Sequence, residues 1–344
     1  MRKKVFITVI CIFSALVLSG VGAVCLGRRF LSRENASAIA ENGGRITILA
    51  AGFDRAAANT DVLMLLSVDV DEKQLHIMQI PRDTYLSAGT AQNKVNQIFP
   101  KARNAGYSEG GAMQLLAREL SAALGVRIDR WAAVDLDAFS GLVDALGGVT
   151  VELPCNMRYR DPAANGEYVE LSRGEQTLNG AAAAHFIRYR AGYTDGDLGR
   201  VDAQKILLAA LFGKLRSVGG AQMITGILPA VYPYIQSDIP LTEALSLARV
   251  FYRERSAFSL RLMTLPGEAT RGGESGGLWY YVVNRPSAEE MLRVYFASEE
   301  AFDPERRLTD GTRINFENIY SDKNIVSPVY TEQTVGELKV RLKK

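Results

Sequence analysis

The 344-residue chain is long enough for one large domain or two ordinary ones, and its 47% apolar and 23% charged residues are typical of a globular protein. Forty Lys and Arg residues against 38 Asp and Glu residues leave a net charge of only +2. Composition therefore gives no bulk attraction to nucleic acid, and a DNA-binding regulator is disfavoured. Any binding of anions must come from a local arrangement of side chains.

The N-terminal segment contains a charge-free run that is long enough to cross a bilayer. MRKK precedes the run from Val5 to Gly27. A spanning helix needs ~20 such residues, whereas the apolar part of a signal peptide has ~7–15. We therefore predict a cytoplasmic tail at residues 1–4, a transmembrane anchor at 5–27 and a linker at 28–44. Small residues late in the run leave a cleaved signal peptide as the alternative.

Strands come first in the part of the chain that follows. RITILAAG predicts a buried strand, and VLMLLSVD and QLHIMQIP predict two more, joined by a short charged turn at residues 70–73. Apolar residues at helical spacing predict a helix from Glu109 to Leu124. RWAAVDLDAFSGLVDALGGVTVELP then predicts strand, helix, Gly-Gly stop and strand.

The second half begins with the strongest predicted helix, LGRVDAQKILLAALFGKLRSV, with Asp197 as its N-cap. Helices near 221–230, 241–253 and 286–296 and the strand-like runs FSLRLMTLPG and LWYYVVN follow. This alternation predicts an α/β protein with a layered α/β/α domain around a mixed central sheet. We place that domain at residues 45–297 and a polar C-terminal extension at 298–344.

Several common chemistries are excluded by residue type. The chain has only two histidines, His76 and His185, and both lie in apolar strand-like runs, where a structural role is commoner than catalysis or metal binding. No Cys/His spacing suits zinc, and no G-x-x-x-x-G-K-[ST] loop is present. Residues 273–277 fit G-x-S-x-G, but no histidine follows Ser275, so we interpret them as a glycine-rich turn.

Acids and arginines recur where strands are predicted to end and where the long helix begins. Because such positions meet at one crevice of an α/β sheet, we expect these side chains to converge. Clustered guanidinium groups favour an anion, and carboxylates among them favour a hard divalent cation such as Mg²⁺ that bridges to phosphate oxygens. The alternative is a set of ordinary solvated loops. The residues are Asp54, Arg55, Asp61, Arg82, Asp83, Arg188, Arg190 and Arg200.

The same segments resemble the LytR-CpsA-Psr family of bacterial envelope proteins. The resemblance rests on GFDR…TDVLMLLSVDVDEKQLHIMQIPRDTYL, KVNQIF, FSGLVDALGGVTVELP and FIRYR…GDLGRVDAQK, in the family's order. It implies an α/β fold, a single-pass membrane anchor with the domain outside the cytoplasm, and Mg²⁺ as cofactor. It also implies transfer of a glycopolymer, such as teichoic acid or capsule polysaccharide, from a polyprenyl diphosphate carrier to a peptidoglycan sugar hydroxyl.

The resemblance also implies roles for single residues. The arginines at positions 82, 188, 190 and 200 correspond to those that grip the diphosphate, and Arg82 and Arg190 would act in catalysis. Asp54 and Asp61 correspond to the metal-linked acids, either of which would orient or deprotonate the hydroxyl. Asp83 and Gln204 match motif positions and, with Arg55, are expected among the residues that bind the diphosphate. Asn59-Thr60 stands where the family often has an arginine before the second acid, and Arg55 is the candidate to compensate.

Two other functions are compatible with the same residues. Water in place of the sugar acceptor would make the protein a polyprenyl-diphosphate hydrolase. Binding without turnover would make it a membrane-tethered regulator, an alternative to which the altered acid loop gives weight.

Overall fold

The computed structural model describes residues 44–53, 60–87, 90–160, 168–194, 197–219, 235–271, 277–296, 327–331, 334–335 and 342. The predicted anchor at 5–27, the predicted helix near 221–230 and Ser275 lie outside these ranges, as do Asp54 and Arg55. Within the ranges, no helix combines the length and the apolar character that a bilayer-crossing segment requires.

The strands follow the predicted order along the chain. They are β1 (Arg45–Phe53), β2 (Thr60–Asp69), β3 (Gln74–Ile80), β4 (Arg130–Asp135), β5 (Val149–Leu153), β6 (Met157–Arg160), β7 (Tyr168–Leu171), β8 (Gly174–Leu178), β9 (Ile235–Ser237), β10 (Ser259–Thr264), β11 (Gly267–Arg271), β12 (Trp279–Val283) and β13 (Tyr330–Thr331). Seven of them form one sheet in the order β13-β10-β3-β2-β1-β4-β9. β1 with β4 and β3 with β10 are parallel, while the other neighbours are antiparallel, so the predicted mixed sheet is confirmed.

Helices cover both faces of this sheet. They are α1 (Ile98–Asn104), α2 (Glu109–Leu124), α3 (Leu136–Ala145), α4 (Gly180–Phe186), α5 (Asp197–Ser217), α6 (Leu241–Glu254) and α7 (Arg285–Phe296). Successive strand residues point to opposite faces, so each central strand contributes to two cores. Residues from α3, α4, α5 and α6 pack with Ile46 and Ile48 of β1, and residues from α1, α2 and α7 pack with Leu49 and Ala51. The domain therefore has the predicted α/β/α layers.

Local sequence explains several of these elements. α2 spans the predicted residues, and the Ser108 side chain accepts a hydrogen bond from the Gly111 amide at its start. The predicted Gly-Gly stop after α3 lies at Gly147 and Gly148, whose φ angles of 74° and 89° suit glycine better than any residue with a Cβ.

The predicted polar extension contributes to the sheet and to the core. Tyr330 and Thr331 pair with Leu262 and Arg261 of β10 as an edge strand. Val335 is 8% exposed and packs in the core beneath α5.

The strand ends that carry the candidate functional residues lie at one edge of the sheet. β1, β3, β4 and β10 run in the same direction, so their carboxyl ends meet there, and the antiparallel β2 begins there. Phe53 at the end of β1 pairs with Thr60 at the start of β2. Arg82 follows β3 by two residues, and ligands of α/β proteins bind at this kind of edge.

Candidate active site

The loop after β3 is held in one conformation by its own backbone. Pro81 ends the strand, and its carbonyl oxygen accepts hydrogen bonds from the Thr84 amide at 2.9 Å and the Thr84 hydroxyl at 2.6 Å. The Arg82 carbonyl accepts from the Asn96 amide, and the Asp83 carbonyl from the Tyr281 amide of β12. Arg82 therefore lies on a short turn that is tied to two other parts of the chain.

The Asp83 carboxylate lies between two cations. Its Oδ1 accepts a hydrogen bond from Lys94 Nζ at 2.8 Å, and its Oδ2 is 3.7 Å from Arg82 Nε. The sequence placed Asp83 among the residues that bind the diphosphate. In the structure its contacts are those of a group that orients Arg82.

Lys94 was missed at the sequence level, although it begins the KVNQIF motif. The residue is 8% exposed, and its ammonium group lies 5.1 Å from the centroid of the Tyr280 ring. A buried lysine needs a carboxylate or an aromatic face, and Lys94 has both. Lys94 and Asp83 are eleven residues apart, and this separation alone does not predict a contact between them.

A small pocket lies between the end of β3, the start of β2 and the first turns of α5. Arg82 and Arg200 both line it, together with Gln204. Arg200 is 7% exposed and Gln204 is 3% exposed. The structure thus brings three of the predicted residues to one site. The electrostatic potential in this pocket is positive, because two guanidinium groups lie beside the N-terminal turn of a helix.

The pocket also contains Gln79, which sequence reasoning did not single out. Its Nε2 donates a hydrogen bond to Gln204 Oε1 at 2.8 Å, and its side chain is 3% exposed. A polar residue in the strand QLHIMQI was the available signal.

Arg188 and Arg190 follow a helix rather than lying on a strand. The prediction that His185 lies in a strand-like run is therefore wrong. Residues Gly180–Phe186 form α4, because four alanines favour a helix and Asn179 caps it by accepting from the Ala182 amide at 2.9 Å. Arg188 lies in the turn after α4 and is half-buried, whereas Arg190 is exposed.

Close packing of Tyr193 brings this arginine segment to the start of α5. The Tyr193 amide donates to the Arg190 carbonyl at 3.2 Å, and the Tyr193 side chain is fully buried. A Cβ placed on Gly199 would lie 2.6 Å from Tyr193 Cβ, so only glycine permits this approach. Gly199 directly precedes Arg200. Burial also raises the pKa of the Tyr193 phenol, which therefore stays neutral at any physiological pH.

The two predicted metal-binding acids directly follow Phe53 and Thr60 in the sequence. Asp54 lies outside the described residues, and only the backbone of Asp61 is described. Gly52 pairs with Val62 and Phe53 pairs with Thr60, which leaves Asp61 as the extra residue of a β-bulge. Bulges are common beside active sites, where they redirect a side chain. Carboxylates are the ligands that Mg²⁺ prefers, so the residue type of both acids suits the ion.

Among the side chains that the structure describes, no group of three or more His, Cys, Asp and Glu residues is placed to hold a metal ion.

His76 has the structural role that we predicted. It is 2% exposed, its Nδ1 donates to the Tyr295 carbonyl at 2.9 Å, and its Nε2 lies 3.3 Å from Arg261 Nη1. Burial lowers the pKa of its imidazole to about 4, so the ring is neutral at pH 7.

Lys205 is a second buried cation that the sequence did not reveal. It is 3% exposed, its Nζ donates to Asp202 Oδ1 at 2.7 Å, and the Tyr330 ring of β13 lies 5.7 Å from it. Burial lowers the pKa of its ammonium group. The residue directly follows Gln204, so part of the C-terminal segment packs close to the pocket.

The fold and the pocket define an α/β/α protein with an arginine-lined pocket at the carboxyl edge of its sheet. The sequence profile of the LytR_cpsA_psr family matches residues 28–295, and the chain belongs to this family.

Relatives with names lie at moderate identity. The polyisoprenyl-teichoic acid–peptidoglycan teichoic acid transferase TagU of Oceanobacillus iheyensis is 28% identical over 254 residues, covering 72% of this chain and 73% of that protein. TagV of Bacillus subtilis, a transferase of the same name, is 28% identical over 193 residues, covering 56% of this chain. The chain spans about half of the length of TagV, 48%.

Solved structures match the fold. The crystal structure of B. subtilis TagV has a TM-score of 0.58 at 24% identity and covers 74% of this chain and 98% of that one. TagT bound to LIIa-WTA has a TM-score of 0.56 at 23% identity and covers 74% of this chain and 91% of that one. At these identities the likeness establishes the architecture alone.

Proposed function

We propose that this protein is a membrane-anchored phosphotransferase that moves a glycopolymer from a polyprenyl diphosphate carrier to a sugar hydroxyl of peptidoglycan. The observation that carries the proposal is the pocket where Arg82 and Arg200 meet beside the first turn of α5. Two permanent cations and a helix N-terminus suit the several negative charges of a diphosphate. The names of the transferase relatives supply the donor and acceptor classes.

In this proposal the arginines act by positioning and charge neutralisation. The acceptor hydroxyl attacks the phosphorus that bears the glycan, and the bond from that phosphorus to the bridging oxygen breaks. Polyprenyl phosphate leaves with that oxygen and its electron pair, and the hydroxyl proton passes to Asp54 or Asp61. Arg82 and Arg200 stabilise charge on the non-bridging oxygens, while Arg190, being exposed, is accessible to the substrate.

Asp54 and Asp61 would hold Mg²⁺ in this proposal. The ion supplies charge neutralisation for the diphosphate oxygens. The support is the pairing of Phe53 with Thr60, the residues that directly precede the two acids in the sequence, and the hard oxygen ligands that both side chains offer. The run from Val5 to Gly27 would anchor the chain, with the main domain outside the cytoplasm.

The test uses the full chain in detergent micelles with a short-chain polyprenyl-diphosphate glycan and a peptidoglycan oligomer, and follows products by mass spectrometry. We expect a phosphodiester-linked conjugate that disappears with a chelator. Arg82→Ala should reduce its rate by about 10²–10³-fold, as for other donors to a transition-state oxyanion. Arg158→Ala is the matched control, because Arg158 is an exposed arginine on β6 that pairs with Glu170.

Two results would replace the proposal. Release of the phosphorylated glycan without any conjugate, at a rate that is independent of peptidoglycan, would identify a hydrolase. Tight binding of the lipid diphosphate without conjugate or hydrolysis would identify a non-catalytic binding protein. The relative named Regulatory protein MsrR, from Staphylococcus aureus, makes that second outcome worth measuring directly.

A further inference from the structure

The amide pair at the base of the pocket has unused hydrogen-bonding capacity. Gln79 Nε2 donates to Gln204 Oε1 at 2.8 Å, which occupies one donor and one acceptor. Gln204 Nε2 and Gln79 Oε1 are both buried and have no hydrogen-bond partner among the residues that the structure describes. In the orientation that the structure gives, the unpartnered amide NH2 group belongs to Gln204, whereas exchanging N and O in both amides would reverse the bond and place that group on Gln79.

An unsatisfied buried amide costs about 1–3 kcal/mol, and folded proteins satisfy nearly all such groups. Both side chains line the pocket that Arg82 and Arg200 also line. The remaining walls include Val62 and other apolar side chains, so electrostatic interactions inside the pocket are stronger than in water. A leftover N–H donor beside two guanidinium groups is arranged for an anionic oxygen.

The backbone of Gln79 is fixed on both sides. It pairs with Met64 of β2 and with Thr264 of β10, and its carbonyl accepts from the Leu265 amide at 2.9 Å. Gln204 lies one helical turn after Arg200 on α5. The amide bond therefore joins the strand that leads to Arg82 with the helix that carries Arg200, and it fixes the orientation of the Gln204 amide.

We propose that Gln79 is a positioning residue that holds the Gln204 amide so that its free N–H donates to a non-bridging phosphoryl oxygen of the bound diphosphate. This inference rests on the proposed function, because it takes the diphosphate of the lipid carrier as the ligand. It adds to the site a residue that neither the sequence motifs nor the two arginines identified.

Three variants of the full-length protein test it. Gln79→Met keeps the length of the side chain but removes the hydrogen bond, and we expect kcat/KM for the lipid donor to fall by about 10-fold to 100-fold, the range for one hydrogen bond to a charged group. In Gln79→Glu the value of kcat/KM should fall further, because the new carboxylate accepts from the Gln204 amide and adds negative charge to the pocket. Gln79→Met combined with Gln204→Met should be no worse than Gln204→Met alone, because Gln79 acts through Gln204.

Gln74→Met is the matched control for a merely structural effect. Gln74 lies at the other end of β3, and its Oε1 accepts from Arg261 Nη1 at 2.7 Å. This variant should lower the melting temperature while leaving the kinetic constants unchanged. Additive losses in the double variant, or a Gln79→Met enzyme with wild-type constants and only a lower melting temperature, would overturn the inference.

A binding measurement separates this failure from failure of the proposed function. Calorimetry with a short-chain prenyl diphosphate is run on the wild type and on Gln79→Met. Wild-type binding that weakens about 10-fold or more in the variant supports the inference. Wild-type binding that Gln79→Met leaves unchanged overturns the inference alone. A wild type that neither binds this lipid nor forms conjugate overturns the proposed function, and the inference with it.

Discussion

Removal of the Lys94 ammonium group tests how the loop after β3 orients Arg82. Lys94 Nζ is 2.8 Å from Asp83 Oδ1, and Asp83 Oδ2 is 3.7 Å from Arg82 Nε. In Lys94→Met the carboxylate keeps Arg82 as its one cationic neighbour among the residues that the structure describes. We expect it to draw the guanidinium toward itself and away from the phosphoryl oxygens, so that KM for the lipid donor rises about 10-fold.

The stability cost follows from the same distance. Coulomb's law at an effective dielectric constant of ~20 gives a gross attraction of about 6 kcal/mol at 2.8 Å, most of which desolvation offsets. Loss of one partner of a fully buried pair costs about 3–5 kcal/mol. The Asp83 side chain is 28% exposed, so water screens it partly, and we expect Lys94→Met to lose about 2–3 kcal/mol of unfolding free energy.

Urea unfolding and steady-state kinetics measure the two effects separately. Asp83→Asn in the Lys94→Met background removes the uncompensated carboxylate and should restore KM to within about 3-fold of the wild type. The exposed pair of Arg158 and Glu170 is the control, since exposed ion pairs contribute about 0–1 kcal/mol and Arg158→Met should change neither quantity. If KM stays at the wild-type value in Lys94→Met, or the double variant recovers nothing, Asp83 does not control Arg82.

Two further predictions concern parts of the molecule that pack against the site or the sheet. Gly199→Ala places a methyl group 2.6 Å from Tyr193 Cβ and should destabilise the domain by about 1–3 kcal/mol in denaturant melts, whereas Gly213→Ala on the same helix has no neighbour within 4 Å and should not. The pKa of His76 is lowered to about 4, so the unfolded chain takes up a proton that the folded chain does not. Stability should therefore fall by about 3 kcal/mol as pH drops from 6.5 to 4, and melts of His76→Gln should lack this slope; equal slopes would show that another group titrates.

Much of the fold could be predicted because local and tertiary preferences agree. Alternating apolar runs gave the central strands, and the spacing of apolar residues gave α2 with its Ser108 cap. The failure at His185 has a physical reason. HFIRYR has the residue types of a strand, but Asn179 and the alanines before it form α4, and the helix extends through His185 to Phe186. A short helix with a strong cap overrode the pattern of the residues at its end.

The charged residues of the pocket could be predicted from the sequence, but the residues that position them could not. Arg82 and Arg200 were found because arginines at strand ends and helix starts are visible in a single sequence. Lys94 and Gln79 were not found, because each is defined by a partner that is distant in sequence: Asp83 is 11 residues from Lys94, and Gln204 is 125 residues from Gln79. The antiparallel bridge between Tyr85 and Lys94 brings the first pair together, and the packing of α5 on the sheet brings the second pair together.

The two positioning pairs, Lys94–Asp83 and Gln79–Gln204, act on different parts of the pocket. The Lys94–Asp83 pair contacts Arg82 within the loop after β3, whereas the Gln79–Gln204 pair joins β3 to α5 and lines the pocket. A guanidinium group neutralises a developing charge only if its position is set before the reaction, since reorganisation during the reaction would consume the gain. Loss of Lys94 should thus raise KM for the donor, because the ground state already uses Arg82. Loss of Gln79 should lower kcat as well, because the leftover amide donor beside two arginines gains most when charge accumulates on the phosphoryl oxygens. Measuring KM and kcat separately for Lys94→Met and Gln79→Met would show whether each pair contributes to substrate binding or to catalysis.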